Sequence, residues 1–508
     1  MKTRAAALRI AVASALLASA AAAQAGQPTL AKPVSTKQGK IQGVAGNEDG
    51  ITVFKGIPFA APPVGDLRWE QPQPPAKWSG VRDGSKYGAP CIQNPAPTRF
   101  PKNGATDFNN APEMSEDCLY LNVWTPAKTG KEKLPVMIWL YGGAYNEGGG
   151  NAPFSEGDKL AKKGVVLVTF NYRVGSLGFM SHPELTAASP HKASGNQALG
   201  DSIAAFKWVK ENIAAFGGDP DRVTLFGESA GAAMIGGLVG APPARGTFER
   251  GIPESGAWMG LGIAKMGTRE ASEARTLEAA EKLGAKSLAP VDILAGSNAE
   301  EGSFTAGFGP PVTKESWAAG AQQRWGDLAE TGMAAYPAAT DAEAATAATL
   351  PFSDAMAWHM RLLAESQSAI GKNAWHYWFT HRPLYDEGQK DLGAGHTAEI
   401  PYVFNNLAAP RTYPAGSSVD LMKNDPVQLA FADQVSQYWV NFAATGNPNG
   451  KGLPEWQAVK DLGSTEAMLL DGNKGSAKGH WTTDAKLKLY EGLFERDVAK
   501  PLGLKEGE

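Results

Sequence analysis

The sequence predicts an α/β fold built on a large, mostly parallel central sheet flanked by helices, and three observations lead to it. "LPVMIWLYGG", "GVVLVTFNYR" and "RVTLFGESAG" are compact apolar runs rich in Val, Ile, Phe and Tyr, the texture of strands buried on both faces. Between the second and third lies "DSIAAFKWVKENIAAFGGDP", where Ile203, Phe206, Val209 and Ile213 form one apolar stripe and Gly217-Gly218 supply a helix stop. Two further strand candidates, "VDILAGS" at 291–297 and "NAWHYWFTH" at 373–381, prolong the alternation. Sheets of this kind place their ligand sites at the carboxyl ends of the strands.

Composition sets the outer bounds. The chain has 508 residues, 43% hydrophobic and 20% charged, enough to bury a substantial core. No Pro/Ser linker or block of like charge divides it, so residues 26–508 read as one elaborated domain. A net charge of −4 provides no broad basic field, so nucleic acid is not an expected partner. Small molecules or other proteins remain.

The elements follow in order. "MKTRAAALRIAVASALLASAAAAQA" has Lys2, Arg4 and Arg9, an Ala/Leu-rich run and the small-x-small site Ala23-Gln24-Ala25, the form of a signal peptide over 1–25. Export to the periplasm or medium is therefore expected. No other stretch approaches about 20 apolar residues, and no cysteine lies near the cut, so no membrane anchor is expected. "TKQGKIQGVAGNEDGITVFKGIPFA" alternates and turns at glycines, as an N-terminal antiparallel hairpin does. The only two cysteines, Cys91 and Cys118, read as a disulfide in an exported chain, one that contributes on the order of 3 kcal/mol. Neither their spacing nor nearby histidine suggests a metal site. The Ala-rich stretch 332–350 reads as surface helix with solvated faces.

Chemistry concentrates at the strand ends. Gly227-Glu228-Ser229-Ala230-Gly231 follows the run 223–226 and opens a helix. A serine there is held in a strained turn with its hydroxyl exposed, and the flanking glycines let strand and helix approach closely. The amide of Ala230 then points toward an oxyanion formed beside Ser229. A nucleophilic alcohol needs a base. Of seven histidines, His376 and His381 fall in or at the end of a strand, His359 in a helical stretch, and His182 and His191 in a loop before the nucleophile. His396, in "GAGHTAEIPYVF", lies on a Gly-rich loop after the last of those strand candidates, in the chain order serine, acid, histidine. Position favours it. The acid must follow another strand, and "VDILAGSNAEEGSF" offers both Glu300 and Glu301, which spacing does not separate. Gly142, Gly143 and Ala144, directly after "LPVMIWL", place backbone amides where they complete an oxyanion hole with Ala230.

These residues resemble the type-B carboxylesterase family, the α/β-hydrolase group that includes para-nitrobenzyl esterase-like bacterial enzymes and the cholinesterases. The likeness runs from "FKGIPFAAPPVGDLRW" through "SEDCLYLNVWTP", "YGGAYNEGG", "NYRVGSLGF", "ENIAAFGGDPDRVTLFGESAGA", "SNAEEGSF" and "GAGHTAEIPYVF" to "YWVNFAATGNPN". The resemblance implies an α/β-hydrolase fold with Ser229 as nucleophile, Glu301 as acid and His396 as base. Gly143, Ala144 and Ala230 match its oxyanion donors, and Cys91 and Cys118 match a disulfide near the active-site entrance. Ser255, in "IPESGA", matches a serine that supports the triad hydrogen bonds, and Glu228 adjoins the nucleophile within the same inner layer.

Three departures stand out. Gly200 and Asp201-Ser202 replace the Leu and Asp-Gln that the family commonly carries after "GNQ-x-L", Glu254 stands where Gln is usual, and the interval from Ser255 to Glu301 is short. That interval forms part of the substrate-gorge wall in the family, so pocket size does not transfer. The resemblance implies hydrolysis of small carboxylic esters through an acyl-enzyme, with no cofactor and no metal. The alternatives are a non-catalytic binding or adhesion member of the fold, or the same triad acting on amides, lactones, polyesters or lipids. The aromatics Trp139, Tyr145, Phe304 and Phe308 are candidates for pocket lining.

Overall fold

The structure is a computed structural model that describes residues 28–93, 113–190, 192–256, 289–305, 310–409, 418–460 and 463–499. Residues 1–25, expected to be a leader, His191, Phe308 and most of the interval between Ser255 and Glu301 lie outside those residues.

The strands are β1 (Val34–Ser35), β2 (Lys40–Gln42), β3 (Val44–Ala45), β4 (Thr52–Pro58), β5 (Val81–Asp83), β6 (Tyr120–Thr125) and β7 (Leu134–Leu140). They continue as β8 (Val166–Phe170), β9 (Gly218–Glu228), β10 (Arg250–Glu254), β11 (Asp292–Asn298), β12 (Ala374–Phe379), β13 (Glu466–Leu470) and β14 (Ala477–His480). An eleven-stranded sheet has the order β14-β13-β12-β11-β10-β9-β7-β8-β6-β4-β3. Its centre, from β8 across to β13, is parallel, and both margins are antiparallel. The expected N-terminal antiparallel pairing is present but shared between two sheets. β3 and β4 edge the large sheet, while β1 and β2 join β5 in a separate three-stranded one.

The apolar runs behave as their composition dictates. Every residue of β8 is buried, and every residue of β7 except Leu134, which is why these strands read as continuous rather than alternating hydrophobic sequence. β10, by contrast, is written Arg-Gly-Ile-Pro-Glu, with no apolar run to announce it. Pro253 has no N–H and Gly251 no side chain, so propensity argues against a strand. The segment is extended because β9 and β11 pair on either side of it, aligning Glu254 with Glu228 and with Gly296.

The amphipathic segment forms the helix Gln197–Asn212, prolonged by a 3-10 turn, Ile213–Phe216, that ends at Gly217 with φ 82°. Phe206, Val209 and Ile213 are buried and Ile203 is half-buried. A Cβ at Gly200 would come within 2.1 Å of Gln71 Oε1 and 3.1 Å of Pro72 Cδ, so a larger residue at that departure would displace the Gln71 side chain. Asp201 makes a buried pair with Arg173, with Nε and Nη2 each 2.8 Å from a carboxylate oxygen.

The Ala-rich stretch is helical, as expected, but not simply a solvated surface. Helices Ala329–Ala335, Asp341–Ala347 and Leu350–Ala369 turn Ala335, Ala344 and Ala347 toward Trp317, Trp325, Tyr336 and Trp358, forming a second hydrophobic core. Small side chains there let helices close on the large indoles. Arg324 lies over the Trp317 ring at 3.8 Å.

Cys91 and Cys118 are buried and disulfide-bonded across a sequence separation of 27. Replacing both with serine is expected to lower the unfolding free energy by about 3 kcal/mol. Denaturant titration of the oxidised protein against the double variant measures this.

Candidate active site

β9 ends at Glu228, and Ser229 turns the chain at φ 53°, ψ −117° before the helix Ala230–Gly240. That backbone conformation costs about 1–3 kcal/mol for a residue with a side chain, and the surroundings enforce it. A Cβ on Gly227 or Gly231 would approach Leu140 O to 2.5 and 2.1 Å. Both positions therefore require glycine for β7 and the turn to meet. On the other side, the backbone N–H of Ser229 donates to Glu254 O at 2.9 Å.

The loop after β12 brings His396 to this corner. Its Nε2 lies 2.9 Å from Ser229 Oγ, and its Nδ1 lies 2.5 Å from Glu301 Oε2. With Nδ1–H donated to the carboxylate, Nε2 is left to accept the serine proton. Glu301 opens the 3-10 turn Glu301–Thr305 just past β11 and is fully buried. Its other oxygen accepts the N–H of Asn298 at 2.7 Å.

The neighbouring glutamates, indistinguishable by spacing, have separate fates. Glu300 turns outward, pairing with Arg382 at 2.8 Å and accepting the Ala394 N–H at 2.6 Å. Five other histidines have structural surroundings: His182 caps the helix Pro183–Ala188, His359 and His376 are buried, His381 bonds Gln428 at 2.9 Å, and His480 bonds Thr465 at 2.6 Å.

Behind the imidazole lies a layer of carboxyl groups. Ser255, itself at φ 52°, donates to Glu399 Oε1 at 2.9 Å, and the Asn298 amide donates to the other Glu399 oxygen. Glu228 Oε1 lies 3.1 Å from His396 Nε2. Glu254 accepts the Trp439 indole N–H at 2.8 Å and is fully buried. Glu399 was not singled out from the sequence; it carries no strand or turn signal, and the only available hint was its place three residues after His396.

Burial raises Glu228 and Glu254 well above the usual carboxylate range, with Glu399 adding to the upward push on both. Glu399 is pushed up to about 7 by burial and then by the Glu301 charge. Burial alone would lower His396, but the carboxylates of Glu228 and Glu301 outweigh it and push it up to about 10. The imidazolium and the Glu228 carboxylate sustain each other, so protonating Glu228 removes much of that upward pull.

The loop after β7 supplies the remaining candidates. Gly143, Ala144 and Tyr145 hold φ of 114°, 52° and 64° in succession, and Gly143 O accepts the N–H groups of Asn146 and Glu147 at 3.0 and 3.2 Å. A Cβ on Gly142 would fall 3.1 Å from Ser229 Cβ, so this loop lies against the serine. Among the candidate pocket aromatics, Trp139 is instead core, packed between Phe226 and Phe404. Tyr145 packs half-buried against Phe179. Phe304 flanks the imidazole at 6.0 Å, joined by Phe352 at 6.4 Å, which sequence reasoning did not single out.

The model of the carboxylesterase family matches residues 31–301 and 278–487. The chain belongs to that family. It is 36% identical to the fumonisin B1 esterase of Sphingopyxis macrogoltabida, covering 92% of this chain and 91% of that one. It is 34% identical to the para-nitrobenzyl esterase of Bacillus subtilis over 86% of this chain and 94% of the relative. The cocaine esterase of Homo sapiens is 33% identical over 85% of this chain and 86% of its own. Among solved structures, a PNB esterase superposes with a TM-score of 0.70 at 30% identity, covering 90% of this chain and 99% of that one. The architecture is the α/β-hydrolase fold, and the protein is a carboxylic ester hydrolase.

The crowding of acids has a measurable consequence for this carboxylesterase. If His396 is the base, the carboxylates that favour its imidazolium should move the rise of kcat/KM to higher pH than the ordinary histidine value near 6.5. Glu228→Gln removes a carboxylate that favours the imidazolium, so the acid limb is expected to move to lower pH, by about one unit. A pH–rate profile on a neutral aryl ester checks both statements.

Proposed function

We propose that this carboxylesterase works through an acyl-enzyme on Ser229, with His396 as general base and then acid and Glu301 as the buried carboxylate that orients it. The observation carrying this reading is the continuous contact Glu301 Oε2–His396 Nδ1 and His396 Nε2–Ser229 Oγ, at 2.5 and 2.9 Å. His396 takes the hydroxyl proton as Ser229 Oγ attacks the ester carbonyl, and the resulting oxyanion is held by the backbone N–H groups of Gly143, Ala144 and Ala230. The imidazolium then returns the proton to the departing alkoxide. Water, deprotonated by the same imidazole, attacks the acyl carbonyl and releases Ser229 with the acid. Each oxyanion donor contributes about 2.7–4 kcal/mol to transition-state stabilisation.

The substrate class is a small neutral ester, in keeping with the half-buried aromatic pair Phe304 and Phe352 beside His396. Export is part of the same reading. The basic, Ala-rich start with its small-x-small site reads as a leader, and a buried disulfide persists in an oxidising compartment. Among the described residues no helix is long and apolar enough to cross a membrane. Residues 26–508 would then be the mature single domain.

Ser229→Ala is expected to lower kcat on a short aryl ester by roughly 10⁴-fold or more while KM changes little. Retention of wild-type turnover by the folded variant would refute the assignment. A panel of esters varied separately in acyl and alcohol length, assayed on the mature protein, defines the substrate range.

A further inference from the structure

One helical turn joins the active site to the second core. In the first turns of the helix Leu350–Ala369, Pro351, Phe352, Ser353 and Asp354 face two ways. Toward the site, Ser353 Oγ accepts the N–H of Gly302, the residue next to Glu301, at 3.1 Å. Phe352 packs on Phe304 at 5.3 Å. A Cβ on Gly302 would stand 2.0 Å from Thr349 O and 3.1 Å from Phe352 Cβ, so the acid-bearing turn lies flush against this helix start.

Away from the site, the same turn is tied down by buried polar groups. Tyr490 OH donates to Pro351 O at 2.7 Å and lies 3.0 Å from Tyr336 OH. Tyr336 OH donates to Asp354 at 2.9 Å, and Lys486 Nζ pairs with the same carboxylate at 2.8 Å. Tyr490 and Lys486 belong to the helix Asp484–Phe494, near the far end of the chain. Tyr336, Ser353, Asp354 and Tyr490 are all buried.

We propose that Ser353 is a positioning residue for the acid Glu301, and that Tyr490, through Pro351, makes the helix Asp484–Phe494 part of the frame that sets the acid–imidazole distance. The inference rests on the triad reading above. Glu301 is fixed from both chain directions: its own Oε1 by the Asn298 N–H, and its following peptide by Ser353. Without the second bond the short 3-10 turn gains freedom in the direction of the His396 contact. Loss of geometry on the scale of 1 Å costs roughly 10²-fold in rate.

The test compares Ser353→Ala, Ser353→Thr and Tyr490→Phe with wild type, on one aryl ester over a pH series, with thermal unfolding recorded for each. Ser353→Ala is expected to lower kcat by roughly 10- to 100-fold with KM within about 2-fold. Its acid limb should move to lower pH, because a poorly placed Glu301 supports the imidazolium less. Ser353→Thr restores the hydroxyl and should recover most of the rate. Tyr490→Phe, which keeps the ring, should show the same shift with a smaller loss of about 3- to 10-fold. Wild-type kcat and acid limb in both folded variants, Ser353→Ala and Tyr490→Phe, would overturn the proposal, as would failure of threonine to rescue. Ser229→Ala is run in parallel: if it stays active the triad reading fails, whereas an inactive Ser229→Ala beside unaffected Ser353→Ala and Tyr490→Phe removes only this inference. Should Ser353→Ala not fold, the rate and pH profile of Tyr490→Phe decide.

Discussion

The contact chain from Glu301 through His396 to Ser229 is the constraint to which the rest of the structure answers. It joins side chains 95 and 167 residues apart in sequence, so no local preference brings them together. The parallel centre of the sheet does. β9 delivers the serine at its carboxyl end and β11 delivers the acid. The loop beyond β12 delivers the histidine. Backbone strain at Ser229 and Ser255 is tolerated because β7, β10 and β11 grip these turns by main-chain hydrogen bonds and by glycines that admit no Cβ.

The same convergence creates an electrostatic problem. Glu228, Glu301 and Glu399 are buried around a single imidazole, with Glu254 buried behind Glu228 and Glu399, and desolvation disfavours so many simultaneous charges. Burial and mutual repulsion push Glu228, Glu254 and Glu399 toward their protonated forms, and hydrogen bonds steady Glu399, as those from Ser255 and Asn298 do. The charge state of the layer, rather than the imidazole alone, then sets where on the pH scale the proposed base is free to act. Glu254, a carboxyl in place of the usual amide, is pushed upward by burial and by Glu399 while it accepts the Trp439 indole N–H.

Much of this was legible in the sequence. The apolar runs of β7, β8 and β9 declare strands buried on both faces, and Ser229 between its glycines declares a sharp corner. The choice between Glu300 and Glu301 was not legible from spacing, because which neighbour points inward depends on a 3-10 turn and on Arg382 holding the other. β10 escaped notice because its extension comes from its neighbours rather than its own Gly, Pro and charged residues. The role of the Ala-rich helices was likewise hidden, since small residues on a helix look alike whether they face water or an indole. Ser353 and Phe352 carry no local signal at all; their meaning lies in the residues across from them.

The measurement that bears most directly on the central claim is active-site titration with an aryl phosphonate ester, followed by peptide mapping of the labelled protein. One equivalent of the aryl alcohol per chain should be released, with a phosphonyl group on the peptide that contains Ser229. Labelling should be slowed sharply when His396 is replaced by alanine. A label carried on any other residue, or full-rate labelling in the absence of the imidazole, would contradict that claim.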